Sequence, residues 1–174
     1  MIGCSQEGIQ NETQENLATE NNERRENPDD SGDPDPIGGD YETDLMAGQH
    51  TDSGNVIVSE TSGNLDVTFE TEGDWIILET HLYVGSQEDM PANNPGNPRI
   101  GQFPYKTDHG DGVTTFTYSN LGELVVGECT WVAAHAVVYN TVTNQEETAW
   151  GDGADIPGNS WAMYFEVCNG DGPF

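Results

Sequence analysis

Two imidazoles and a carboxylate stand where apolar residues are expected. Glu79 and His81 interrupt "WIILETHLYV" at 75–84, and His135 interrupts "TWVAAHAVVY" at 130–139. Period-two alternation puts Glu79 and His81 on the face of Trp75, Ile77 and Tyr83. It puts His135 on the face of Trp131, Ala133, Val137 and Tyr139. If the two segments are neighbouring strands, Glu79, His81 and His135 converge. A carboxylate buried there needs a partner, because an unpaired one is strongly destabilising. Such a trio suits a transition-metal site or a Glu–His pair in acid–base work. It equally suits a structural hydrogen-bond network. Glu147, in "EETAWGD" at 146–152, is a further carboxylate for the same cluster, with Glu146 beside it.

A second set of candidate ligands is harder oxygen. Gly-Asp-Gly occurs at 110–112, 151–153 and 170–172, and Asp108, Asp111, Asp152, Asp155 and Asp171 lie in or beside these triplets. Calcium takes six to eight oxygens in a flexible cage, roughly what such loops offer. No full calcium-loop pattern is present. Asp-Gly is also the standard hairpin pair, because both residues tolerate positive φ, so plain turns compete with an ion site.

Aromatic side chains offer another kind of site. Trp150, in the polar "TAWGDG", and Tyr105, in "FPYK", are candidates for a sugar-stacking platform, an apolar face with a polar rim. The competing reading is that these rings cap the core.

The cysteines are Cys4, Cys129 and Cys168. "MIGC" at the start resembles the end of a bacterial lipobox, which marks Cys4 as a lipid-attachment site and leaves Cys129 and Cys168 to pair. That bond closes a loop of about 40 residues, worth about 4 kcal/mol in the chain-entropy model. Buried free thiols are the alternative. The spacing does not suit zinc, which takes Cys or His in close pairs. From Ser5 to Asp40 the chain is Gln, Asn, Glu, Asp, Pro and Gly with almost nothing apolar. It cannot bury enough surface to offset its chain entropy, so it reads as a disordered acidic leash, whether or not an anchor precedes it.

The elements that must position these residues are strands. "NVIVS" at 55–59 is β-branched, and "NLDVTFET" at 64–71 alternates with Leu65, Val67 and Phe69 on one face. "EGD" at 72–74 reads as the turn of a hairpin joining 64–71 to 75–84. Residues 113–118, 130–139 and 161–168 are further strands, and 85–112 reads as a long loop. Strands 75–84 and 130–139 are apolar on both faces, hence central and covered above and below. The expected fold is an all-β antiparallel sandwich of about six to eight strands over 41–174, preceded by the leash over 1–40.

Composition bounds the partners. Against 32 Asp and Glu stand 4 Lys and Arg, a formal charge of −28. Residues 41–174 alone hold 21 acidic and 2 basic residues, a net charge of −19. This field repels nucleic acid and anionic headgroups and attracts cations. Such a surface also resembles those of halophile proteins, whose self-repulsion salt screens. No run of 18 apolar residues exists, so contact with a membrane is expected only through the lipid anchor.

"ETHL" at 79–82, "GQFPY" at 101–105, "AAHAVV" at 133–138, "ETAWG" at 147–151 and "WAMYF" at 161–165 together resemble a family of exported, uncharacterised β-rich bacterial and archaeal proteins. The resemblance implies an exported β-rich domain and carries no catalytic residues. The expectation is therefore a lipoprotein of the cell surface, outer membrane or periplasm. Its role is non-catalytic binding, adhesion or scaffolding, stabilised by calcium, with a glycan or surface protein as partner. A carbohydrate-binding module is one alternative. A small hydrolase or metal-site protein using Glu79, His81 and His135 is another, although neither Gly-x-Ser-x-Gly nor His-Glu-x-x-His occurs.

Overall fold

The fold is seen in a computed structural model that describes residues 40–170. Cys4, the acidic leash up to residue 39 and Asp171 lie outside the described residues. The described strands, in chain order, are β1 (Tyr41–Ala47), β2 (Thr51–Thr61), β3 (Asn64–Thr71), β4 (Trp75–Gly85), β5 (Tyr105–Val113), β6 (Thr115–Tyr118), β7 (Cys129–Asn140), β8 (Gln145–Gly151), β9 (Ala154–Asp155) and β10 (Met163–Cys168). The only described helical turn is a 3-10 turn at Ile100–Gln102. All the strand pairings are antiparallel. The fold is thus all-β and antiparallel as expected, with ten strands among the described residues.

The strand order is β5-β4-β7-β8-β1-β2-β3-β6, and β10 pairs with the first residues of β7. The two strands at the ends of this order, β5 and β6, are consecutive in the chain with only Thr114 between them. One bent segment therefore serves both edges, and the sheet nearly closes into a barrel. Closure removes the exposed edges that an open sheet presents to other chains.

This seam corrects the expected hairpin. Residues 72–74 do reverse the chain, with Gly73 at φ 60° and the Trp75 N–H donating to the Glu72 carbonyl at 3.2 Å. Yet β3 pairs with β6 and β4 with β5, so the bent segment lies between the strands that the turn joins. Turn chemistry fixes a reversal; it does not choose the partner. The tight hairpin is β2–β3, where Ser62 (φ 54°) and Gly63 (φ 82°) form the two-residue loop whose twist suits paired strands.

The barrel interior holds Val56 and Val58 from β2, Leu65, Val67 and Phe69 from β3, Ile77 and Leu82 from β4, and Val132, Ala134, Ala136 and Val138 from β7. A second apolar cluster lies on the outer face of β4, β7 and β8: Tyr83, Ala133 and Trp150, covered by Met90, Phe103, Ile156 and Ala162. Its cover comes from residues 86–104 and 156–162. These two loops are stitched together by the Asn97 side-chain oxygen, which accepts the N–H of Asn159 at 2.6 Å and of Ser160 at 3.1 Å. The two covered faces explain why β4 and β7 are apolar on both sides.

Part of the expected long loop is β5 instead. It carries Tyr105, Thr107 and His109 toward the barrel seam while Lys106 and Asp108 face out, an alternation of polar residues that hydrophobic periodicity does not register.

Candidate functional site: a buried histidine pair

His81 and His135 face each other directly across β4 and β7. Their ring centres are 5.4 Å apart with planes inclined at 55°. Directly opposed residues share a face, so both imidazoles lie on the outer face of the barrel, at the margin of the second apolar cluster. His135 is 3% exposed, and the Trp150 indole meets it edge-on at 4.8 Å from the neighbouring strand. Glu79 joins them two residues along β4, its Oε2 lying 4.0 Å from His81 Nε2.

A bulge makes this arrangement possible. Ile77 pairs with Val138 and Glu79 with Val137, so Leu78 is an extra residue in β4. Without it, strict alternation would keep Ile77 on the face of Glu79 and His81, as the sequence led us to expect. With it, Ile77 turns into the core at 0% exposure, while Glu79, His81 and Tyr83 turn outward. Trp75, on the near side of the bulge, packs against the inner core as well.

Three imidazole nitrogens in this pair are buried without a hydrogen-bond partner: Nδ1 of His81 and both nitrogens of His135. The Tyr83 hydroxyl, in the adjoining apolar cluster, donates to the Ser86 carbonyl at 2.6 Å. Burial is the main reason that His135 titrates low, at about 3, and the neighbouring His81 adds to the shift. The His81 pKa is also lowered, chiefly by burial and to a lesser degree by Lys106, while Glu79 pulls it upward. Both rings are therefore neutral at pH 7, the form that binds metal.

A polar network that sequence reasoning missed closes the seam. Thr80, 0% exposed, places its hydroxyl 2.9 Å from His109 Nε2 and 2.9 Å from the Tyr118 hydroxyl, which also lies 3.1 Å from Thr107 Oγ1. His109 packs edge-on against Phe116 at 4.5 Å. Burial lowers its pKa against the opposing pull of Asp108. Unlike His135, His109 has a partner, so its role here is cohesive: it ties β5 and β6 to β4. Recognising 105–113 as a strand would have revealed the inward Thr107 and His109.

Other expected site residues go elsewhere. Glu147 pairs with Val138 on the inner face, beside Gly48, and Trp150 with His135 on the outer face, so Glu147 does not join the histidines. Trp150 is 4% exposed and packs edge-on against Phe103, so it is core rather than platform. Tyr105 packs against the inner core with its ring 5.9 Å from that of Tyr118.

The aspartates expected to hold calcium are dispersed. Asp108 lies on β5 and accepts the Gly110 N–H at 2.8 Å, an Asx turn. Asp111 is exposed in the same strand, and Asp152 and Asp155 lie beyond β8, across the sheet from β5. Among the described residues, no group of three His, Cys, Asp or Glu is placed to hold an ion. The glycines of 151–153 have a packing reason to be glycine. A Cβ at Gly151 would stand 2.9 Å from the Phe165 ring, and one at Gly153 would overlap the Tyr164 carbonyl. Gly153→Ala is expected to cost about 3 kcal/mol through forced overpacking. Gly110→Ala, which meets open space at φ 59°, is expected to cost about 1 kcal/mol. Denaturant unfolding in the presence of chelator measures both, and equal costs would contradict the packing explanation.

Comparison of the chain with protein-family models, with curated proteins and with solved structures gave no match in any of the three.

Proposed function

We propose that the chain is an exported domain that binds or scaffolds at the cell surface. The observation that carries this reading is the bond between Cys129 and Cys168, which oppose each other across β7 and β10 with sulfurs 1.97 Å apart. Structural disulfides persist in oxidising compartments and are rare where thiols are kept reduced. The −28 charge supports the rest: it disfavours nucleic acid and leaves a glycan or a surface protein as partner. Lipid attachment at Cys4 would hold the domain at a membrane on its acidic leash. Fractionation of the native cell tests this. Recovery in the membrane fraction, with a lipid mass on Cys4 and no free thiol on Cys129 or Cys168, is expected. A cytosolic protein with three free thiols would overturn the reading.

Calcium stabilisation belongs to the same proposal and is tested separately, by a thermal melt after chelation with and without the ion. A saturable rise in midpoint supports it, and an unchanged midpoint removes calcium from the reading.

One observation favours the carbohydrate alternative. Trp131 and Tyr164 stack on the outer face with ring centres 3.5 Å apart and planes at 14°, both partly exposed. This pair, rather than Trp150 and Tyr105, is the aromatic surface a sugar ring can meet. In this reading Trp131→Ala weakens glycan binding at least tenfold, about 1.4 kcal/mol. Calorimetry with the best glycan from an array measures it. Undiminished affinity in the folded variant would remove Trp131 from any sugar site.

A further inference from the structure

We propose that His81 and His135 form a two-imidazole clamp for a late transition-metal ion, with zinc(II) the occupant, and that Glu79 positions it. A buried imidazole with no partner is destabilising, and satisfied networks are the rule in native proteins. Here three unpartnered ring nitrogens occur together in one opposed pair, while His109, at the seam, has the Thr80 hydroxyl as a partner for its Nε2. The Trp150 indole meets His135 with its edge, and the hydroxyl of Tyr83 in the same outer cluster is engaged by Ser86. An ion supplies the missing partner.

The geometry fits. A zinc-bound imidazole places its ring centre about 3.2 Å from the ion, and two such arms at a tetrahedral angle put the ring centres about 5.2 Å apart. The observed separation is 5.4 Å, and the planes are inclined at 55°, so the rings are not stacked on each other. The pairing register fixes this spacing on two paired strands, each with a neighbour on its other side.

Glu79 sets the tautomer. Its carboxylate lies 4.0 Å from Nε2 of His81, outside hydrogen-bond distance, and on closing to that nitrogen when the ion binds it would hold the proton there and leave the buried Nδ1 free to ligate. A carboxylate behind a ligating histidine also holds the ring in place and raises its basicity. The Leu78 bulge is what turns Glu79 to this side, and bulges recur beside functional sites for this reason. Two protein nitrogens leave two tetrahedral positions open. Water or another donor would fill them. Imidazole-only ligation selects zinc, copper or nickel over calcium and magnesium, whatever the surface charge attracts.

The test uses the full chain after chelation, titrated with zinc chloride in excess calcium, which occupies the surface carboxylates. The expected result is one zinc per chain. It should raise the midpoint by about 10 °C at a hundredfold excess over the dissociation constant. Cobalt(II) should give the visible bands of a tetrahedral site without thiolate charge transfer, which excludes Cys4 as a ligand. Imidazole nitrogen NMR should show the ion on Nδ1 of His81. His81→Leu and His135→Leu should each abolish the response while leaving the metal-free midpoint equal or higher, which shows that they fold. Glu79→Gln should weaken binding 10- to 100-fold without abolishing it. Zinc binding that survives both leucine substitutions, or wild-type protein that takes up neither zinc nor cobalt, overturns the proposal. A response that follows copper(I) alone overturns the assignment to zinc.

Discussion

Loss of the Cys129–Cys168 bond should destabilise the domain by about 4 kcal/mol and lower its melting midpoint by about 15 °C. The bond spans a sequence separation of 39, and closing a loop of that length removes this much entropy from the unfolded chain. The folded side adds a local reason. β10 is short, and only Phe165–Cys168 pairs with β7. Beyond its end, Asn169 receives the Gly127 N–H on its carbonyl at 2.6 Å and gives its own N–H to Glu128 at 2.9 Å. Its side chain donates to the Leu124 carbonyl at 2.6 Å. The disulfide sits between the strand and this knot. Without it β10 frays from one end, withdrawing Val167 and then Phe165 from the inner core and parting Tyr164 from Trp131. Guanidinium unfolding of wild type against the Cys129→Ser, Cys168→Ser double variant measures the difference without thiol exchange from Cys4. A difference below about 1 kcal/mol would mean that the unfolded chain is not constrained by the bond, contrary to the loop-entropy account.

What could be read from sequence follows a physical line. The inward face of Leu65, Val67 and Phe69 was legible because β3 alternates without interruption and its inner side chains are apolar. The pairing of His81 with His135 was legible as a possibility, because both segments are apolar on both faces and so belong at the sheet's centre. The Leu78 bulge was not legible: one inserted residue inverts the parity of everything before it, and no residue type marks it. The strands β5 and β8 were hidden for another reason. Their sequences, "YKTDHGDGV" and "QEETAWG", alternate in polar residues and carry glycine, which lowers strand propensity. Had β8 been recognised, parity alone would have separated Glu147 from Trp150, since residues three apart on a strand face opposite ways. The burial of Trp150 depends on loops 86–104 and 156–162 folding over it, a long-range fact absent from its own neighbourhood.

Acid should unfold the metal-free protein through His135. Its folded pKa of about 3 lies below the ordinary 6.5, so the unfolded chain takes up a proton that the folded chain refuses. The sign follows: stability from this group is fully present above pH 6.5 and is lost as pH falls toward 3, by about 4 to 5 kcal/mol over the window. The lowered pKa values of His81 and His109 act in the same direction. The charged residues on the same face stand farther off: Glu79 pairs with Val137 on the partner strand, Lys106 and Asp108 lie one strand beyond on β5, and Glu146 pairs with Tyr139 from β8. Loss of negative charge in acid relieves the self-repulsion of a −28 chain and works against the histidines, so the raw stability curve mixes two opposed effects. The variant His135→Leu separates them. It keeps the carboxylate surface, replaces two unpartnered nitrogens by apolar volume, and should be as stable as wild type or more so at pH 7. Between pH 6 and pH 4 the wild type should lose stability relative to the variant at up to about 1.4 kcal/mol per pH unit. Urea unfolding at several pH values, with chelator throughout, reads the difference. Parallel curves would mean that the folded protein accepts the proton, and hence that His135 is solvated. Zinc, by occupying the ring nitrogens, should restore stability near pH 6 and lose its effect as protons displace it at lower pH, so the same variant pair reports on the clamp and on the acid weakness it covers.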